Sequence, residues 1–106
     1  DLLILGFGDD GHIASLFPGS DALEKKCSDT DWLFRSQASY APQERWSWGM
    51  DALTASKKTI VVYKDKADSV KAQRLNDAIN DPSCDTPLAR FIRQTNGEVS
   101  FFQVDL

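Results

Sequence analysis

The chain is poor in the groups that most site chemistries use. Its 106 residues hold one histidine, two cysteines and one methionine. One imidazole and two distant thiols, Cys27 and Cys84, cannot build a Cys/His zinc centre, and no C-x-x-C pair is present. No metal site and no cofactor are expected. Nor does any run approach the roughly 20 apolar residues of a membrane span. The longest apolar runs are Leu2 to Leu5 and Ile60 to Tyr63. A basic excess is missing too: 12 Lys and Arg stand against 16 Asp and Glu, a net charge of −4. That balance disfavours a nucleic-acid backbone as partner but leaves room for one small anion held by a lysine. There is no basic leader before the first apolar run and no initiator Met. The expectations are a cytoplasmic protein with two free thiols and a piece of a longer chain.

What is present suffices for a core: 42% of the residues are hydrophobic. The length fits one domain or part of one. Leu2 to Leu5 and Thr59 to Tyr63 read as parallel strands covered on both faces. Arg45 to Met50 alternates, which predicts a half-buried strand with Trp46, Trp48 and Met50 packed inward. Trp32 to Phe34 and Val99 to Val104 are further strand candidates. Helices are predicted at His12 to Phe17, over a short turn at Asp51 to Ser56, and over Asp65 to Asn80 with Ala72, Leu75 and Ile79 as its apolar stripe. Another begins at Thr86-Pro87, an N-cap followed by proline at the first helical position. The order implies an α/β fold with a mostly parallel sheet and flanking helices, Rossmann-like but incomplete. Ligands in such sheets lie at the carboxyl ends of the strands, here after Leu5 and after Tyr63.

The informative stretch is Gly6-Phe-Gly-Asp-Asp-Gly-His-Ile-Ala-Ser-Leu-Phe-Pro-Gly19. Its first six residues match G-x-G-x-x-G, the dinucleotide fingerprint. Against that reading, Asp9 and Asp10 would repel a pyrophosphate, and Pro18 leaves the following helix too short. Glycines 6, 8 and 11 instead allow a tight turn and close approach to a ligand. His12 ends that turn and is the only group that exchanges protons near neutral pH. Asp10, two residues away, can orient its ring.

From Gly6 to Gly19 the chain resembles the signature of the 6-phosphogluconolactonases, in the glucosamine-6-phosphate isomerase/6-phosphogluconolactonase superfamily. The related deaminases share Gly-x-Asp-Gly-His-Ile-Ala but continue Phe-Asn-Glu-Pro, where this chain has Ser15-Leu16-Phe17-Pro18. Arg45 to Leu53, Lys66 and Pro87 to Arg90 are similar to the family's carboxyl half. The chain departs from the pattern at Gly49, Asp51, Val62 and Tyr63, the last narrowing the turn before Lys66. The resemblance implies hydrolysis of 6-phospho-D-glucono-1,5-lactone to 6-phosphogluconate in the pentose phosphate pathway, without metal or cofactor. It implies His12 as general base, with Asp10 beside it. Backbone N–H groups of Gly8 and Gly11 would hold the oxyanion or order the loop. Lys66 would bind the phosphate, and Arg45 would touch ligand or brace the loop. The family's amino-terminal half adds a Gly-rich phosphate loop and an arginine-bearing segment, neither of which is found here. Two alternatives are a glucosamine-6-phosphate deaminase/isomerase and a non-catalytic sugar-phosphate-binding fragment of the same fold.

Overall fold

The computed structural model describes residues 2–28, 31–38, 42–65 and 69–104. Strand β1 (Leu2–Leu5) is followed by the long Gly-rich loop and a 3-10 turn at Asp21–Glu24. Strands β2 (Leu33–Gln37) and β3 (Glu44–Trp48) then form an antiparallel hairpin, and α1 (Met50–Thr54) follows at once. After β4 (Lys58–Tyr63) come α2 (Val70–Asn80), α3 (Pro87–Gln94) and β5 (Glu98–Gln103). The main sheet is parallel with order β1-β4-β5. The α/β architecture with a parallel sheet and helices is therefore the observed one.

Register explains which face of that sheet is covered. Leu3, Thr59 and Val99 are neighbours across the three strands, as are Leu5, Val61 and Phe101. Side chains in strands alternate between faces, so these residues share one face and join the core, apart from Thr59, whose hydroxyl is buried without a hydrogen-bond partner. The core continues through Leu53, Leu75, Ala78, Leu88 and Phe91 from the helices. Val61, Leu88 and Phe91 are fully buried. The opposite face carries Leu2 and Ile4, exposed at 58% and 65%, and Phe102 at 54%. The expectation of strands covered on both faces thus fails on this side: one layer packs against the sheet among the described residues. β1 also ends the strand order, so its outer edge has no strand partner among them.

Four local expectations are corrected. Trp46 and Trp48 do lie on one face of β3, but that face is outward, and they are 65% and 48% exposed. Ser47 takes the buried side, opposite Phe34 and close to Ser36 of β2. The helix expected at His12 to Phe17 is absent; Ile13 instead bridges to Phe7 and to Leu16. Helix α2 begins at Val70, later than Asp65, although the Asp65 carboxylate still accepts from the Lys71 and Ala72 N–H groups at 3.1 and 3.0 Å. That carboxylate satisfies first-turn N–H groups at a helix start where the Ser69 side chain makes no cap hydrogen bond. Ile79 is half exposed, and Ala78 with Leu75 makes the buried stripe. Thr86 caps α3 as expected, its hydroxyl accepting from the Ala89 N–H at 3.2 Å.

Candidate functional site

The loop between β1 and the 3-10 turn is held from three directions. Within it, the Gly8 N–H donates to the His12 carbonyl at 3.0 Å and the Gly11 N–H to the Gly8 carbonyl at 2.9 Å. From α3, the Leu88 N–H donates to the Gly11 carbonyl at 2.9 Å. From the hairpin, the Ser47 hydroxyl accepts from the Ser15 N–H at 3.1 Å, and the Ser36 hydroxyl donates to the Ser15 carbonyl. Buried apolar side chains do the rest: Ile13 and Leu16 are fully buried and Phe17 nearly so. Each such burial contributes about 1.5–3 kcal/mol. Ala14 between them is forced to φ 49°, which explains why no helix runs through here. The glycines differ in what they are for. Gly11 has φ +84° and lies against Thr86, so both conformation and space demand glycine. Gly8 is needed for space alone, because the His12 ring lies where a Cβ would be.

His12 is the centre of this arrangement. The Asp10 Oδ1 accepts from the His12 N–H at 3.0 Å and bonds the ring Nδ1 at 2.6 Å. A carboxylate at Nδ1 selects the tautomer with the proton on Nδ1, in which Nε2 carries the lone pair. The imidazole is 19% exposed. Its ring packs against Phe17 at 4.6 Å between centroids, and the Arg45 guanidinium lies over the same phenyl ring at 5.3 Å. Arg45 therefore braces Phe17, and its Nε donates to the Pro42 carbonyl at 2.9 Å. His12 lines a cavity of about 490 Å³ with Gly6, Phe7, Ala14, Trp48 and Leu3 to Leu5 of β1. A larger hollow of about 660 Å³ lies between the 3-10 turn and the hairpin and does not include the imidazole.

Partial burial raises the Asp10 pKa, but the bonds from the His12 backbone and ring outweigh it, and the net direction is below the ordinary aspartate value. A depressed carboxylate pKa means the clamp is complete above the ordinary value and is lost as pH falls through the lower, folded one. The Asp10 side-chain carboxyl carbon is expected to complete its own protonation step below the ordinary aspartate midpoint. A ¹³C titration of that carboxyl checks this; a step at the ordinary aspartate midpoint refutes it.

Of the expected site residues, Gly8, Asp10, Gly11 and His12 are brought together, and Arg45 reaches them through Phe17. Lys66 lies outside the described residues. Tyr63, before it, stacks on Phe7 at 5.1 Å. The Gly8 and Gly11 N–H groups are spent inside the loop, so their role is to order it. Sequence reading missed the serine anchors Ser36 and Ser47, and Arg74, whose Nε donates to the Asp9 carbonyl at 2.7 Å. No local signal marks residues so distant in sequence. No group of three or more His, Cys, Asp or Glu side chains able to hold a metal occurs among the described residues. No helix among them is long and apolar enough to cross a membrane.

A glycine-bent loop at the carboxyl end of a parallel strand thus carries an Asp–His pair beside a cavity, the place where ligands lie in α/β sheets. Residues 1–101 match the family of glucosamine-6-phosphate isomerases/6-phosphogluconolactonase, and the chain belongs to that family. It is 36% identical over 107 residues to an Arabidopsis thaliana protein named "Probable 6-phosphogluconolactonase 1", taking in 96% of this chain and 38% of that protein. An Oryza sativa subsp. japonica protein of the same name is 32% identical over 105 residues, or 34% of its length. Among solved structures, 6-phosphogluconolactonase from Trypanosoma brucei superposes with a TM-score of 0.79 at 27% identity, covering 97% of this chain and 39% of that one. The chain thus spans well under half the length of the relatives it matches.

Proposed function

We propose that this chain is the carboxyl-terminal half of a cytoplasmic 6-phosphogluconolactonase that hydrolyses 6-phospho-D-glucono-1,5-lactone to 6-phosphogluconate. The observation that carries the reading is the Asp10–His12 pair at 2.6 Å, presented beside a cavity at the end of β1. Ester hydrolysis needs a base for water, stabilisation of an oxyanion and an acid for the leaving oxygen. His12 Nε2 takes a proton from water as the water oxygen attacks the lactone carbonyl. The tetrahedral intermediate then expels the ring oxygen, which takes that proton back from the imidazolium. Asp10 holds the ring and stabilises its charged form. Lys66 is assigned to the phosphate as a point charge. Ser15-Leu16-Phe17 in place of Phe-Asn-Glu favours the lactonase over the deaminase. Two free thiols fit a reducing cytoplasm.

The bare sheet face supports the assignment as half of a domain. Parallel sheets are normally covered on both faces, and here Ile4 and Phe102 face outward beside an unpartnered β1 edge. The hairpin also leaves Leu33, Trp46 and Trp48 outward and exposed. An amino-terminal half would cover these side chains and complete the site. The test is a coupled assay on freshly prepared lactone. The 106-residue chain alone is expected to be inactive. The same chain joined behind the amino-terminal segment of the Arabidopsis thaliana relative is expected to hydrolyse the lactone. A folded fusion without activity refutes the lactonase reading and favours the non-catalytic fragment.

A further inference from the structure

Arg74 lies in the second turn of α2, far in sequence from the Gly-rich loop, yet its side chain reaches the loop's backbone beside the Asp–His pair. Its Nε donates to the Asp9 carbonyl at 2.7 Å. That carbonyl and the Asp10 N–H belong to one planar peptide unit. The direction of the Asp9 carbonyl therefore fixes the plane from which the Asp10 side chain departs. Asp10 in turn holds both the N–H and the Nδ1 of His12 through the same Oδ1. The other carbonyls that brace the turn, those of Gly8, Gly11 and His12, take backbone donors. The Asp9 carbonyl takes a charged donor from another element, and hydrogen bonds from charged groups are the stronger kind.

We infer that Arg74 is a positioning residue for the reaction: it locks the Asp9–Asp10 peptide and so keeps His12 in the Nδ1–H tautomer that leaves the Nε2 lone pair for water. Without that donor, the peptide can rotate about the flanking torsions. The Asp10 carboxylate then loses its fixed line to Nδ1. Arg74 itself contacts no reacting atom in this scheme. The inference deepens the assignment of His12 as base and rests on it.

The readout is taken on the completed fusion, where the ring nitrogens of His12, the one histidine of this chain, are identified by their loss in His12→Ala. At about pH 9, where imidazole is neutral, the parent is expected to show two well-separated ring shifts, with the proton on Nδ1. Arg74→Met keeps the stem and removes the donor; the two shifts are expected to converge as the tautomers mix. Arg74→Lys, whose ammonium can still reach the carbonyl, is expected to restore the separation. A merely structural loss would not be rescued in this selective way. Ring shifts in Arg74→Met equal to those of the parent would overturn the inference. A second measurement needs no variant: a through-hydrogen-bond coupling from Arg74 Nε to the Asp9 carbonyl carbon is expected in the parent, and its absence also overturns the inference. Failure here leaves His12 as base intact. Conversely, a His12→Ala fusion with undiminished activity would remove the base assignment, whatever the tautomer spectra show.

Discussion

Replacing His12 with alanine in the completed protein is expected to lower lactone hydrolysis by about 10²–10⁴-fold, the usual contribution of a positioned general base. The loss belongs in kcat more than in KM, because the imidazole is assigned to proton transfer and the phosphate to Lys66. Folding should survive the change. The ring is partly exposed and packs on Phe17, while the loop is anchored by Ile13, Leu16 and the Ser15 backbone. Asp10→Asn provides the graded case: an amide can still accept from the His12 N–H but does not stabilise an imidazolium. Its rate should fall between those of the parent and His12→Ala. A coupled assay over the uncatalysed background decides both. A His12→Ala protein as fast as the parent would transfer the base role elsewhere.

The legible features are those with local causes. β4 is a β-branched run, and α3 opens on Thr86-Pro87; each was readable because a few adjacent residues determine it. The Asp10–His12 pair is equally local, two residues apart on a glycine turn. The direction of each face was not readable. Alternation in β3 separates Trp46 and Trp48 from Ser47 correctly but is silent on which set points inward. The answer came from across the molecule, where the Ser15 backbone needs hydroxyl partners and Ser36 and Ser47 supply them. Satisfying that part-buried peptide sets the face, since an unpaired buried polar group costs about 1–3 kcal/mol, and it leaves the two indoles on the side that an amino-terminal half would cover. The same anchors explain the missing helix at His12 to Phe17. The spacing of Ile13, Leu16 and Phe17 fits a helical stripe, but it serves equally well for a bent loop with three inward side chains. Arg74 illustrates the remaining limit: its partner is a backbone carbonyl, which leaves no residue-type signature.

Gly8 separates site geometry from stability, and Gly8→Ala is expected to lower the rate of the completed protein by about 10²-fold, the cost of misplacing a reacting group by an ångström. A Cβ at this position would lie 2.1 Å from His12 Cε1 and 2.3 Å from Nδ1. The backbone cannot easily yield, because the Gly8 N–H is bonded to the His12 carbonyl and the Gly8 carbonyl to the Gly11 N–H. The imidazole is the movable partner. It can swing outward, and in doing so it breaks the 2.6 Å bond to Asp10 and leaves the face of Phe17. Gly8 has no positive φ to strain the new residue, so thermal stability should change by no more than about 1 kcal/mol. Gly11→Ala is the counterpart. There the Cβ meets Thr86 at 2.6 Å from a backbone at φ +84°, and the cost falls on the packing of the loop against α3. Gly8→Ala should therefore melt like the parent yet turn over slowly, while Gly11→Ala should melt earlier. A Gly8→Ala protein with parental turnover would mean that the ring position seen against Gly8 is not the one in which the lactone is opened.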